Sequence, residues 1–201
     1  MFKPLPRIRP RAGKIAALTS LLALAAMQPL QAQENSSGDF QACVAGLKDK
    51  ALQAGISPQT ADEVLSGVTF LDRVIELDRR QPEFTTTFAD YLGKRVNEGR
   101  ISKGRELLRE HRELLDRVTR ATGVPAPYLV AFWGLETNFG SYFGKMPVPS
   151  SLATLACDPR RSTFFTEQLM AALQIIDEGS IAPDQMEGSW AGAMGHVQFM
   201  P

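Results

Sequence analysis

Metal chemistry has little to build on in this chain. Its 201 residues include two histidines, His111 and His196, and two cysteines, Cys43 and Cys157. None of the four sits in a cluster with metal-ligand spacing, and no Asp-rich calcium loop occurs. No metal and no other cofactor is expected. Sustained apolar/polar alternation is missing too, which argues against a sheet-built fold, and there is no internal repeat. A surplus of positive charge is absent: 22 Lys and Arg balance 22 Asp and Glu. So is a long hydrophobic run. Residues 15–27 form a thirteen-residue apolar stretch, too short to span a bilayer as a helix.

The charge balance hides an asymmetry. Lys3, Arg7, Arg9, Arg11 and Lys14 precede the apolar stretch, no acid occurs before Glu34, and Leu30-Gln31-Ala32 follows. This is the plan of a cleavable secretory signal peptide over residues 1–32. Cleavage after Ala32 removes five basic residues and leaves 17 Lys and Arg against 22 Asp and Glu, a net charge of −5. That argues against nucleic acid as a partner, because such affinity rests on basic patches. No cysteine follows the apolar stretch directly, the first being Cys43, so no lipid-attachment site and no stable membrane anchor is visible. Cys43 and Cys157 are compatible with one disulfide in an exported protein; two separate buried thiols are the alternative.

The length suits one domain, and 44% hydrophobic with 22% charged residues is ordinary for a globular protein. Residues 33–39 read as a disordered mature N-terminus and 40–54 as a helix. Ser57-Pro58 gives an N-cap followed by proline at the first helical position. Residues 72–84 read as a short helix or extended arm. Residues 102–122 read as one helix, with Leu107, Leu108, His111, Leu114, Leu115 and Val118 on its apolar face. Pro125 and Pro127 open a helix through Glu136 that has no polar face and is expected to be central and buried. Residues 140–151 read as a loop. Residues 159–178 read as a helix capped by Asp158, with Phe164, Phe165, Leu169, Leu173 and Ile176 as its core stripe. The fold class expected is mostly α.

Two stretches carry chemistry. Glu136 ends an uncharged run, residues 124–135, and a polar, glycine-containing turn follows. Desolvation there raises a carboxyl pKa, and an acid protonated near neutral pH can donate to a leaving group. The plainer alternative is a helix-end residue paired with an arginine or a backbone N–H. The second stretch, residues 188–201, combines small residues with Trp190, Met194, Gln198 and Phe199. It suits either close approach of backbone to a sugar or tight packing between helices. Six carboxylates follow Glu136, namely Asp158, Glu167, Asp177, Glu178, Asp184 and Glu187. None has a comparably apolar setting, so a one-carboxylate mechanism fits better than the usual glycosidase pair.

Trp133-Gly134-Leu135-Glu136-Thr137-Asn138-Phe139-Gly140, Leu152-Ala153-Thr154-Leu155-Ala156, the segment from Gly188-Ser189-Trp190 to Pro201, and Arg79-Arg80-Gln81-Pro82-Glu83-Phe84 resemble the lytic murein transglycosylase B family. The resemblance runs from about Phe40 to the end of the chain. It implies a lysozyme-like, mostly helical catalytic domain over residues 40–201, periplasmic and acting on peptidoglycan glycan strands. It implies Glu136 as a single general acid/base that cleaves the MurNAc–GlcNAc β-1,4 bond without water, leaving 1,6-anhydro-MurNAc ends. Tyr91, Arg160, Arg161, Ser189, Gln198 and Phe199 match its groove residues. Ser189 and Gln198 would bond the sugar, and Tyr91 and Phe199 would shape the walls. Arg160 and Arg161 would meet lactyl or stem-peptide carboxylates, with an ordinary surface pair as the alternative. Trp133 and Trp190 read as core. Cell-wall synthesis proteins find no support in the sequence as partners. Family members normally continue past Gln-Phe-Met-Pro, so the fold is expected to be incomplete at the C-terminus, with Glu136 on an open, one-sided groove. A water-adding muramidase and a non-catalytic peptidoglycan-binding fragment are the rival readings.

Overall fold

The computed structural model describes residues 28–81 and 86–201, with side chains from Asp39 onward. The chain divides into two compact units, Met1–Ser36 and Ser37–Pro201; the second holds the core and the candidate site. Among the described residues there are nine α-helices. They are α1 (Gln28–Gln53), α2 (Pro58–Gly67), α3 (Asp72–Arg79), α4 (Phe88–Arg95), α5 (Glu98–Glu110), α6 (Arg112–Thr122), α7 (Ala126–Thr137), α8 (Val148–Ala156) and α9 (Ser162–Asp177). One small antiparallel ribbon joins β1 (Met146–Pro147) to β2 (Glu187–Gly188). The mostly helical class expected from the missing alternation is therefore observed. None of the described helices is long and apolar enough to cross a membrane. The signal-peptide reading falls largely outside the described residues. The backbone of α1 is helical from Gln28, through the segment 33–39 read as disordered; Gln31, Ala32, Gln33 and Glu34 are good helix formers.

Helix α8 is the centre of the core, and every one of its residues is buried. Phe165, Leu169, Ala172, Leu173 and Ile176 of α9, Phe40, Val44, Leu47 and Ala51 of α1, Ala61, Val64 and Leu65 of α2, and Val74 of α3 belong to the same cluster. Each large aliphatic side chain enclosed there contributes about 1.5–3 kcal/mol. The buried hydroxyls of α8 bond the linker between α2 and α3. Ser150 Oγ accepts from Thr69 N at 3.2 Å, and Thr154 Oγ1 accepts from Leu71 N at 3.1 Å. These bonds hold the linker on the core helix. The expectation of a loop over 140–151 is corrected here: it ends at Lys145, and α8 starts at Val148. Pro147 precedes the helix, and Pro149 lies in its first turn, where a missing N–H breaks no intrahelical bond.

Other boundaries moved as well. The helix expected over 102–122 breaks at His111, which ends α5 and begins α6 with φ −100° and ψ 20°. Hydrogen bonds still flank the break, His111 N to Leu107 O and Leu115 N to His111 O, both 2.9 Å. It is a kink that lets α5 and α6 both pack on α7. Helix α9 starts at Ser162 rather than at residue 159; Asp158 Oδ1 instead accepts from Arg160 N at 3.0 Å in the turn before it. Phe164 is exposed while Phe165 is buried. Helix α7 is not buried all round: Val130, Gly134 and Thr137 face inward, but Tyr128, Phe132 and Leu135 are exposed. It packs on α5 and α6 from one side, and nothing among the described residues covers the other.

Ser57 caps α2 as expected, accepting from Thr60 N at 3.2 Å. Asp177, the last residue of α9, accepts from Ser57 N at 3.3 Å and Thr60 Oγ1 at 2.6 Å. Hydrogen bonds from Ser57, then Thr60, hold its carboxyl below the ordinary aspartate range. Cys43 of α1 and Cys157, just past α8, form a disulfide with Cα atoms 5.9 Å apart and 114 residues between them in sequence. A cross-link closing so long a loop restricts the unfolded chain strongly. Replacing both cysteines by serine is expected to lower stability by about 2–5 kcal/mol. Urea unfolding of the oxidised protein and of the double variant measures this, and equal midpoints would refute it.

Candidate active site

The end of α7 is set by an unusual turn. Asn138, Phe139 and Gly140 all have positive φ, at 49°, 59° and 77°. Non-glycine residues rarely adopt this region, and holding them there costs about 1–3 kcal/mol each. Several contacts keep the turn in place. Gly140 N donates to Thr137 Oγ1 at 3.0 Å, and Thr137 Oγ1 donates to His196 O at 2.7 Å. Trp133 Nε1 donates to His196 Nδ1 at 3.0 Å. The Phe139 ring fills a notch that exists because residue 134 is glycine; a Cβ there would lie 2.7 Å from the ring.

The Gly/Ala segment grips this turn from the C-terminal side. Its glycines serve close packing of backbone. A Cβ on Gly144, at φ +89°, would lie 2.0 Å from Gly188 O, and one on Gly192, at φ +90°, would lie 2.5 Å from Leu152 of α8. Between the two readings left open by the sequence, the observed contacts are protein on protein. Ser189 closes a turn: its N donates to Ala193 O at 2.8 Å and its Oγ accepts from Ala193 N at 3.0 Å. Gln198, at φ 51°, donates through Nε2 to Phe143 O and Gly195 O, both 3.1 Å. Its Oε1 is left as a free acceptor among the described residues. Phe199 N and O face Met194 in an isolated bridge, and its ring is 70% exposed.

Glu136 stands one residue before Thr137, on the last turn of α7. It is exposed, and no hydrogen bond or ion pair reaches it from the described residues. The desolvation expected from its apolar run is therefore corrected: Phe132 and Leu135, which were to enclose it, are themselves exposed. Three depressions flank the region. One of about 220 Å³ lies between α5 and α7, lined by Ile101, Leu108, Val130, Leu135 and Phe139 among others. One of about 480 Å³ is lined by Asn97, Arg100, Lys103, Asn138 and Ser141. One of about 360 Å³ is lined by His111, Leu114, Leu115, Trp133 and His196. None of the three is lined by Glu136, which lies on open surface. Among the described residues no group of three or more His, Cys, Asp or Glu could hold a metal.

The family model for the transglycosylase SLT domain matches residues 39–201. The chain belongs to this family. It is 31% identical over 157 residues to membrane-bound lytic murein transglycosylase B of Escherichia coli K12, covering 73% of this chain and 44% of that protein. SltB3 from Pseudomonas aeruginosa in complex with NAG-NAM-pentapeptide superimposes with a TM-score of 0.74 at 41% identity, over 80% of this chain and 43% of that one. Its complex with NAG-anhNAM-pentapeptide gives 0.73. The Escherichia coli lytic transglycosylase Slt35 in complex with bulgecin A gives 0.70 at 30% identity, over 79% of this chain and 51% of that one. The chain thus spans about half the length of the proteins it matches, or less.

Within this SLT-domain chain the other groove candidates are scattered. Tyr91 lies on α4, with the Arg95 guanidinium 5.4 Å from its ring centre. Arg160 and Arg161 both reach Asp78 of α3. Arg160 Nη1 donates to Asp78 Oδ2 at 2.9 Å and to Asp78 O at 2.7 Å, and Arg161 Nη2 donates to Oδ1. Arg79 donates to Asp78 Oδ2 at 2.8 Å and to Asp158 Oδ2 at 2.6 Å. These arginines are more than a plain surface pair: they tie α3 to the start of α9. The residues that sequence reasoning missed are His196 and Thr137. A visible signal was the four-residue spacing of Trp133 and Thr137, which places both on one helix face.

Asp78 is 2% exposed. Burial pushes its carboxyl up, but the hydrogen bond and charge of Arg161, with those of Arg160, outweigh it and hold the group below the ordinary aspartate range. Asp78→Asn is expected to lower stability by about 1–3 kcal/mol at neutral pH, moderated because the three arginines reach water. The group's folded pKa is lowered, so its contribution is full above the ordinary value near 3.9 and lost as pH falls through the folded one. The gap between wild type and variant should therefore shrink in acid. Unfolding curves at about pH 7 and about pH 3 test it; a gap that widens in acid would overturn the assignment.

Proposed function

We propose that this chain carries the acid-bearing part of a peptidoglycan lytic transglycosylase, with Glu136 as its single general acid and base. The observation that carries the reading is the position of Glu136 at the end of α7, directly before a clamped left-handed turn that joins it to the 189–199 segment. SltB3, at 41% identity, has been seen with NAG-NAM-pentapeptide and with NAG-anhNAM-pentapeptide; the anhydro sugar is what a cleavage without water leaves.

The chemistry follows from one carboxyl group. Protonated Glu136 gives its proton to the oxygen bridging MurNAc and GlcNAc, and the C1–O bond breaks. The substrate's own N-acetyl group offsets positive charge developing at C1. Glu136, now a carboxylate, takes the proton from the C6 hydroxyl as that oxygen bonds to C1. The product is a 1,6-anhydro ring, and no water is consumed. Glu136 needs a pKa near the working pH for this, and a glycan strand laid over the exposed surface of Phe132 and Leu135 displaces the water around it. Gln198 Oε1 offers an acceptor to a sugar hydroxyl or amide, the Ser189 hydroxyl offers a donor, and the Phe199 and Tyr91 rings offer flat apolar faces. Arg160 and Arg161 are each close to half exposed and keep N–H donors for a substrate carboxylate beyond those that bind Asp78. The basic, apolar N-terminal pattern and the Cys43–Cys157 bridge fit export to an oxidising compartment, the periplasm.

One observation favours a second reading: exposed and without a partner among the described residues, Glu136 also suits a chain that only binds glycan. Turnover separates the two. Incubation with purified peptidoglycan is expected to release muropeptides one water lighter than hydrolysis products, as read by mass spectrometry. Glu136→Gln is expected to reduce that release by about 10²–10⁴-fold while circular dichroism stays unchanged. Products carrying the extra water, or a Glu136→Gln variant of near wild-type rate, would exclude the lytic mechanism.

A further inference from the structure

The two histidines of the chain meet the same tryptophan. His111, at the kink between α5 and α6, has its ring centre 6.0 Å from that of Trp133, and His196 lies 5.8 Å from it. The two contacts differ in kind. His111 makes a tilted ring contact, whereas His196 accepts a hydrogen bond from the Trp133 indole through Nδ1 at 3.0 Å. An Nδ1 that accepts is unprotonated, so the neutral ring carries its hydrogen on Nε2. Three more contacts converge on the same residue. Its carbonyl accepts from Thr137 Oγ1, its ring packs edge-on against Phe143 at 4.8 Å, and a Cβ at residue 140 would lie 2.8 Å from that ring. All of these contacts fall on the helix that carries Glu136, on the turn after it or, for Phe143, just beyond that turn.

We infer that His196 is a positioning residue for Glu136, and that it acts only as the neutral imidazole accepting from Trp133. The inference rests on the function proposed for Glu136. The physical argument concerns the strain in residues 138–140, which persists only while its surroundings over-determine it. His196 supplies both the acceptor that fixes the Trp133 side chain and the wall that closes over Gly140. The His196 side chain is exposed, so protons exchange freely with solvent. A second proton enters at Nδ1 and sets N–H against N–H at the Trp133 contact. The hydrogen bond is lost, the turn loosens, and the acid is no longer held. Among the ionisable groups on neighbouring elements, His111 lines the same depression as His196, with Glu110 beside it at the kink; α5 and α6 also carry Arg109, Arg112, Glu113 and further charged residues, α7 carries Tyr128 and Glu136, Tyr142 and Lys145 follow the turn, and Glu187 precedes His196 on its own segment.

The experiment compares His196→Phe, which keeps the ring bulk without an acceptor, with His196→Asn, whose amide oxygen falls near the place of Nδ1. The first readout is hydrogen exchange of the Gly140, Ser141 and Tyr142 amides, which donate to Thr137. It requires no turnover, so it stands whether or not the chain cleaves glycan. Exchange in His196→Phe is expected to rise about tenfold, the equivalent of one hydrogen bond, and His196→Asn is expected to restore protection. Wild-type protection is expected to fall in acid, where a proton on Nδ1 removes the acceptor that Trp133 uses. That acid limb should persist in His111→Gln and vanish in His196→Asn. The second readout is kinetic: anhydro-muropeptide release by His196→Phe should show kcat lowered about 10²-fold with KM little changed, and His196→Asn should recover it. Equal loss of protection in the Phe and Asn variants, or an acid limb that follows His111, would overturn the inference. Absence of anhydro product from the wild type would instead count against the function proposed for Glu136.

Discussion

The left-handed run Asn138–Phe139–Gly140 is the constraint on which the candidate site depends. It ends α7 abruptly and sends the chain back across the helix it has just left. Two of its three residues carry a Cβ, so the conformation is unfavourable unless external contacts hold it. The holding reaches back to the core in steps. Leu152 of the enclosed helix α8 lies against Gly192, Gly188 and Gly144 interlock, and the segment so fixed presents His196 to Trp133 and Thr137. Packing of an apolar core is thereby converted into the placement of one acid. Larger residues at these glycines would not only lose conformational freedom; they would push apart the backbone surfaces that carry the chain of contacts.

What was legible in the sequence follows from which signals are local. Ser57-Pro58 specified the start of α2 because capping is settled within a few residues. Gly123, at φ +76°, ends α6 by a rule that is equally local. The α8 helix was misread because two prolines near its start carry a strong local message of loop, while the reason for the helix is distant: enclosure by α1, α2, α3 and α9. Arg160 and Arg161 show the same limit on the functional side. Their charge and position could be read, but the partner that occupies them, Asp78, lies 82 and 83 residues upstream. The bond between Trp133 and His196 spans 63 residues, and no spacing rule announces it.

Glu136 divides the problem differently. Its identity as the candidate acid came from sequence, and its place at the end of α7 agrees. Its environment did not follow from the apolar residues around it. An apolar run predicts burial only if something covers it, and Phe132, at 58% exposed, and Tyr128, at 64%, show a face without cover. An uncovered apolar face beside an acid is what a glycan strand needs, since sugar rings stack on aromatic surfaces while their hydroxyls stay wet. Under the proposed function, desolvation of the acid would arrive with the substrate rather than be built into the free chain.

A one-carboxylate mechanism places two demands on the same residue. In the mechanism proposed for Glu136, the carboxyl would reach the bridging oxygen first and the C6 hydroxyl second, so the side chain would have to move while its attachment does not. The geometry separates these needs. The backbone around Glu136 is fixed by the turn at 138–140, by the Thr137 hydroxyl and by Trp133, whereas its carboxyl makes no bond to any described residue. A salt bridge to Glu136 would have favoured its ionised form and locked one rotamer, and both effects would oppose the first proton transfer. The three arginines nearest in character, Arg79, Arg160 and Arg161, are instead gathered on Asp78. That ion cluster holds α3 and the start of α9 together and engages those guanidinium groups with a carboxylate other than Glu136.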